Sequence, residues 1–204
     1  MDTKSETIKP DYRVINGIIA AGSSVLDLGC GEGDLLQLLV KEKQVRAQGI
    51  EIDDEAIYKC VAKGLSVFNS DIDSGLPEFA DKSFDFVILN QSLQQVNKPD
   101  VVLKEALRVG RKVIVGFPNF AHWRSRFQMF FTGRTPVTAS LPYKWHDTPN
   151  RHSLSILDFF DYCKKRGIKI EGSFFIGKKG KVLAFPNFFA QTGIFVISKN
   201  GVRS

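Results

Sequence analysis

The segment Val25-Leu26-Asp27-Leu28-Gly29-Cys30-Gly31-Glu32-Gly33-Asp34 constrains this chain more than any other. Residues of strand character run into a Gly-x-Gly-x-Gly turn, and Leu35, Leu36, Leu38, Leu39 and Val40 follow as a broad apolar helix face. A strand that passes through glycines into a helix opens a βαβ unit. The glycines let the backbone take positive φ and let a ligand approach its atoms closely. Asp34 is the expected N-cap of the helix.

The rest of the chain continues the alternation. Short apolar runs at Ala47 to Ile52, Leu65 to Phe68, Phe84 to Leu89 and Val113 to Val115 read as strands. Between them lie two amphipathic stretches. One is capped by Asp53 or Asp54, carries Ala56, Ile57, Cys60 and Val61, and ends at Gly64; the other starts at Pro99, buries Val102, Leu103 and Ala106, and stops at Gly110. A helix over Ser155 to Arg166 places Ile156, Phe159, Phe160 and Cys163 on one face before Gly167. Strands near Ile168 to Ile176 and Gly193 to Ser198 are expected to pair as a hairpin at the sheet edge. The pattern is that of one α/β domain over residues 1–204. It breaks at about 118–152, an aromatic, proline-rich and basic stretch too long for an ordinary connection and therefore read as a functional insertion.

A hydrophobic content of 43% with 25% charged residues excludes a disordered chain. No apolar run approaches the roughly 18 residues of a membrane span, and MDTKSETIKP has no apolar signal core, so a cytoplasmic protein without a membrane partner is expected. Cys30, Cys60 and Cys163 lack metal-ligand spacing and read as reduced, buried thiols; no metal is expected. Charge is unevenly distributed. Residues 1–103 hold 10 Lys and Arg against 17 Asp and Glu, and the remainder hold 18 against 5, which yields the overall +6 and suggests one basic face.

Acidic residues make the glycine turn chemically specific. Asp27 lies inside the first strand just before the glycines, and Glu51 ends the second strand, placed to accept both ribose hydroxyls of an adenosine. Asp71 follows the third strand, where it can accept an adenine amino group while Ile72 packs on the ring; Asn90 ends the fourth strand on the same rim. A dinucleotide site wants Gly-x-Gly-x-x-Gly and an open helix N-terminus for pyrophosphate. An acidic site instead suits S-adenosylmethionine (SAM), which carries an ammonium and a sulfonium and no phosphate. The expected cofactor-binding set is Asp27, Gly29, Cys30, Gly31, Glu51, Ile52, Asp71, Ile72 and Asn90, for SAM or S-adenosylhomocysteine.

VLDLGCGEGD, GIEID and SDIDSGLPEFADKSFDFVILNQSLQQV resemble the first motifs and fourth strand of class I SAM-dependent methyltransferases. The resemblance implies a three-layer, Rossmann-like fold whose mostly parallel seven-stranded sheet has an antiparallel last strand. It assigns Asp27, Gly29 and Gly31 to the methionine portion of SAM, Glu51 to the ribose, and Asp71 and Ile72 to the adenine. GIEIDDEAIYKCVAKGL, LRVGRKVIVGFPNFAHWRSRFQ and GRTPVTASLPYKWHDTPNRH further resemble the MetW family of methionine biosynthesis proteins. That likeness implies association with the homoserine O-acyltransferase MetX, and supplies no methyl acceptor. Two departures from the superfamily pattern are visible. Leu107 to Lys112 replaces the usual Pro-Gly-Gly turn, and Asn90-Gln91-Ser92-Leu93 is not the motif of amino-group methyltransferases.

His122, Trp123, Tyr143, Trp145 and His146 of the insertion are candidates for an acceptor pocket or a partner interface, with His122 or His146 as a base. A SAM-responsive partner of MetX, a small-molecule methyltransferase and, last, an RNA methyltransferase using the basic half are the activities these residues allow.

Overall fold

The computed structural model describes residues 8–200. Residues 1–7, most of the segment read above for a signal core, lie outside them, as do residues 201–204. Strands β1 (Ser24–Leu28), β2 (Arg46–Glu51), β3 (Ser66–Asn69), β4 (Phe84–Asn90) and β5 (Gly110–Pro118) are mutually parallel. They are joined to β6 (Ile168–Gly177), β7 (Gly180–Lys181) and β8 (Thr192–Lys199) in one sheet of order β3-β2-β1-β4-β5-β8-β6-β7. The last strand, β8, is antiparallel to both of its neighbours and sits between β5 and β6. It therefore pairs with β6 as anticipated but does not close the edge. The two-residue β7 is an eighth strand beyond the expected seven, and takes the edge itself.

Helices cover both faces, and the period-two pattern of the strands explains how. Leu26, Val87, Val113 and Phe195 face α4 (Pro99–Val109) and α6 (Ile156–Arg166), in a core with Leu103, Ala106, Phe159 and Cys163. Their neighbours Val25, Ile88, Ile114 and Ile194 point the other way, into a core with Ile15 of α1 (Pro10–Ile18), Leu36 and Leu39 of α2 (Asp34–Lys43) and Cys60 of α3 (Asp54–Ala62). One register thus feeds two apolar layers. All three cysteines are free and buried.

Helix ends follow local chemistry. The Asp53 side chain caps α3 by accepting the amides of Glu55 and Ala56, and α6 starts with a full capping box between Ser155 and Asp158. At α2 the expectation fails. Gly33 holds the N-cap position at φ 78°, and Asp34 is already helical, its carboxylate engaged by Lys63. The apolar face of α2 is also narrower than its sequence suggests, since Val40 is exposed. The segment 118–152 is not irregular throughout: it contains α5 (Trp123–Thr132). A single turn, α7 (Pro186–Phe189), precedes β8. Among the described residues no helix is long and apolar enough to cross a membrane.

Candidate functional site

The carboxyl ends of β1 to β4 meet at a cleft of about 970 Å³. Its floor is the β1–α2 turn, where Gly29, Gly31 and Gly33 all have positive φ. The amides of Gly29 and Cys30 donate to the Ile50 carbonyl at 2.8 and 3.1 Å, drawing the turn over the end of β2. The glycines do different work. A Cβ on Gly33 would stand 2.5 Å from Leu65 Cδ1, whereas one on Gly31 would meet nothing within 4 Å and would project into open space.

Asp27 lies beneath this turn, 3% exposed, and its Oδ1 has no hydrogen-bond partner in the protein. Burial, and secondarily the negative Glu51, push its carboxyl up to about 7. A buried acid without a cation is costly. An ammonium or sulfonium in the cleft would relieve that cost, so the donor set fits SAM. Glu51 spans the gap between strands: Oε2 accepts the Gly31 amide at 2.8 Å, and Oε1 accepts those of Ile52 and Asp53 at 2.8 and 3.1 Å. The Ser70 amide donates to the Glu51 carbonyl, bringing the end of β3 alongside; Asp71 then turns the chain by accepting the Asp73 amide.

Asn90 donates from Nδ2 to Asp11 at 2.9 Å, while its Oδ1 is buried and unpaired. It stands opposite Gly116 of β5, where a Cβ would lie 2.2 Å from that oxygen. Ser92, whose buried Oγ is likewise unpaired, packs against Gly29. Asp27, Gly29, Cys30, Gly31, Glu51, Ile52, Asp71, Ile72 and Asn90 all line this one cleft. Lys9 and Tyr12 from α1 and its approach, Gln91, Ser92 and Gln95 after β4, and Arg151 at the end of the insertion also line it. The lining carries six acids, Asp27, Glu32, Asp34, Glu51, Asp71 and Asp73, against two cations, Lys9 and Arg151.

The five insertion candidates are not brought together. Only Tyr143 reaches the cleft. His122 is 4% exposed and outside its lining; Nδ1 accepts the Arg124 amide at 3.3 Å, capping α5, and burial followed by the charge of Arg124 holds the ring below the usual histidine pKa. Trp123 packs edge-on to Phe127 on α5, and Trp145 is exposed with His146 against it. The insertion is anchored at its far end, where the amides of Arg151 and His152 both donate to the Gln94 carbonyl. A second cavity of about 570 Å³ shares Lys9, Tyr12, Asn90 and Gln91 with the cleft and is lined also by Asp11, Arg124 and Lys178. Among the described residues no group of three or more His, Cys, Asp or Glu is placed to hold a metal ion.

The strand order, the reversed β8 and the glycine turn define the class I methyltransferase fold. Solved structures agree on the fold. A SAM-dependent methyltransferase from Thermotoga maritima superposes with a TM-score of 0.67 at 18% identity, covering 94% of this chain and 88% of that one. A SAM-dependent methyltransferase from Archaeoglobus fulgidus gives 0.65 at 16% identity, with 92% and 94% covered. The [4+2]-cyclase SpnF gives 0.64 at 16%, with 92% and 80% covered. The chain belongs to the MetW family: the family model described as methionine biosynthesis protein MetW matches residues 9–197. It is also 38% identical over 206 residues to the bifunctional methionine biosynthesis protein MetXA/MetW of Rhodopirellula baltica. That alignment takes in 95% of this chain and 33% of the relative, so the chain spans about a third of the relative's length.

Proposed function

We propose that this protein binds SAM in the acidic cleft and acts in the cytoplasm with the homoserine O-acyltransferase MetX, making its activity responsive to SAM. The observation that carries the SAM reading is the buried, unpaired Asp27 carboxylate under a turn of positive-φ glycines. Asp27 compensates the cationic methionine portion, Gly29 and Gly31 admit it to the backbone, and Glu51 accepts the ribose hydroxyls with the lone pairs its amide contacts leave free. Asp71 takes the adenine amino group and Ile72 its ring face. When bound, SAM supplies a methyl group on a sulfonium, available to a nucleophile held in line. The MetX reading rests on family membership and on a relative whose printed name joins MetXA and MetW in one chain.

The fold alone does not select methyl transfer, since a solved protein of this fold is described as a [4+2]-cyclase. The second cavity against the Asn90 wall favours a further reading, a methyltransferase acting on a small molecule. Both are tested by one pair of experiments. Co-purification of this chain with the acyltransferase, and an acyl-transfer assay with and without SAM, should show association and a SAM-dependent rate. Radiolabelled SAM incubated with a metabolite extract should leave the label on SAM. A labelled small molecule would select the second reading, and failure of the two proteins to associate would remove the first.

A further inference from the structure

The exposed aromatic surface on α5 and the loop before β8 has no role in the cleft. On α5, Phe127 and Phe131 stack at 5.7 Å, and Phe130 meets Phe131 edge-on at 5.0 Å. Phe130 is 83% exposed and Phe131 71%, and Ser125 is the only buried residue of the helix. The second element is the 183–189 segment, which ends in α7 and in which Leu183 is 84% and Phe185 75% exposed. Phe185 is held at φ 47°, a left-handed backbone that costs an aromatic residue strain. Arg126 joins the two elements: its guanidinium lies over the Phe188 ring at 5.7 Å, and it sits one turn before Phe130.

The surface is also tied to the sheet by hydrogen bonds. Asn119, fully buried at the end of β5, donates from Nδ2 to the carbonyls of Asn187 and Ala190, and its Oδ1 accepts the Ala121 amide. The segments leading to both elements therefore meet at one residue just past the carboxyl end of β5. Apolar patches of this kind on a folded surface mark contact sites. Its charge is one-sided: no Asp or Glu occurs between Glu105 and Asp147, while Arg124, Arg126 and Arg134 lie in and beside α5, and Lys178, Lys179 and Lys181 precede Leu183.

We propose that this shelf is the docking surface for the acyltransferase, which meets it with an apolar face rimmed by acidic side chains. The proposal rests on the MetX reading above and adds the place and chemistry of contact. A second copy of this chain is a poor occupant, because symmetric pairing through the shelf would set arginine and lysine against their own kind. The relative that joins MetXA and MetW in one chain favours a protein occupant over a lipid surface.

The test is surface plasmon resonance of the full chain over immobilised acyltransferase, with Phe130→Ser, Leu183→Ser and Arg134→Glu variants, and Tyr58→Ser on α3 as control. Because these side chains are exposed, the variants should fold and should bind SAM as the wild type does. Phe130→Ser and Leu183→Ser should each weaken association by about tenfold or more. Arg134→Glu should slow association and reduce its salt dependence, and Tyr58→Ser should change nothing. Equal binding by the wild type and both apolar variants overturns the proposed surface while leaving the partner. Absence of wild-type binding overturns the partner itself. Sedimentation with phosphatidylserine vesicles, or concentration-dependent dimerisation, that is lost in Phe130→Ser would assign the shelf to a lipid surface or a second copy and overturn the proposal.

Discussion

The Glu51 carboxylate accepts the Gly31 amide at 2.8 Å, so the end of β2 holds the glycine turn that follows β1. The same carboxylate accepts the amides of Ile52 and Asp53, fixing where the chain leaves the sheet for α3. One side chain thus sets the shape of the cleft at the position proposed for the ribose.

Glu51→Gln should weaken SAM more than it weakens the fold. The amide retains one accepting oxygen where the carboxylate used two, so either the Gly31 contact or the Ile52 and Asp53 pair is lost. A loss in SAM binding on the order of 2 kcal/mol is expected, with a smaller change in thermal stability. Calorimetry and thermal melts on the same samples measure both, and a fall in melting temperature with affinity intact would contradict this role.

Asp27 makes stability depend on pH in a defined direction. Its folded pKa of about 7 lies above its ordinary value of 3.8, because burial and then Glu51 disfavour the charge. Its contribution is therefore fully present below the unfolded pKa and is lost as pH rises through 7. Asp27→Asn should flatten this loss and make the free protein more stable than wild type at pH 8, on the order of 2–4 kcal/mol, while binding SAM less tightly. Urea melts at pH 5 and pH 8 decide it: parallel shifts in the two proteins would show that Asp27 is not the group responsible.

The glycines should separate by substitution. Gly33→Ala forces a Cβ against Leu65 and Cys60 at a position of φ 78°, so loss of stability of about 2 kcal/mol or more is expected. Gly31→Ala has space for its Cβ and incurs only the backbone cost, roughly 1–2 kcal/mol, yet places the methyl in the cleft. It should fold and lose SAM affinity. Retained affinity in a folded Gly31→Ala protein would show that the ligand does not approach this turn.

Arg108 stabilises the fold without entering the cleft. It pairs with Glu105 and Asp81 and donates to the carbonyls of Leu76 and Phe79, tying the loop before β4 to α4. Arg108→Ala should destabilise the protein by about 2 kcal/mol and leave the SAM dissociation constant within a factor of about two. Equal melting temperatures would contradict the first part, and a large affinity loss the second.

How much of this was legible depends on how far apart in sequence the cause lies. The strands declared themselves because Val25 and Leu26, or Val87 and Ile88, are both apolar, as a sheet covered on two faces requires. That Asp27, Glu51 and Asp71 line one cleft is legible because they lie within or just beyond the carboxyl ends of β1, β2 and β3, neighbouring parallel strands. The helix α5 was not, since its aromatics face solvent and leave no buried stripe to give a period. The parts played by Lys9, Tyr12 and Arg151 depend on segments that reach the cleft from outside the central strands, and the Asn119 hub joins residues about 70 positions apart. His122 drew attention as a candidate base, but local geometry makes it a helix cap.

The most direct test of the central claim is calorimetric titration of SAM into the purified protein at pH 6 and pH 8, in buffers of different ionisation enthalpy. SAM should bind with a dissociation constant on the order of micromolar, more tightly at pH 8. At pH 6 binding should release close to one proton, because a cation beside Asp27 draws its carboxyl into the charged form. Asp27→Asn should bind more weakly and release none. Absence of binding heat, or identical affinity and proton release in wild type and Asp27→Asn, would contradict the account.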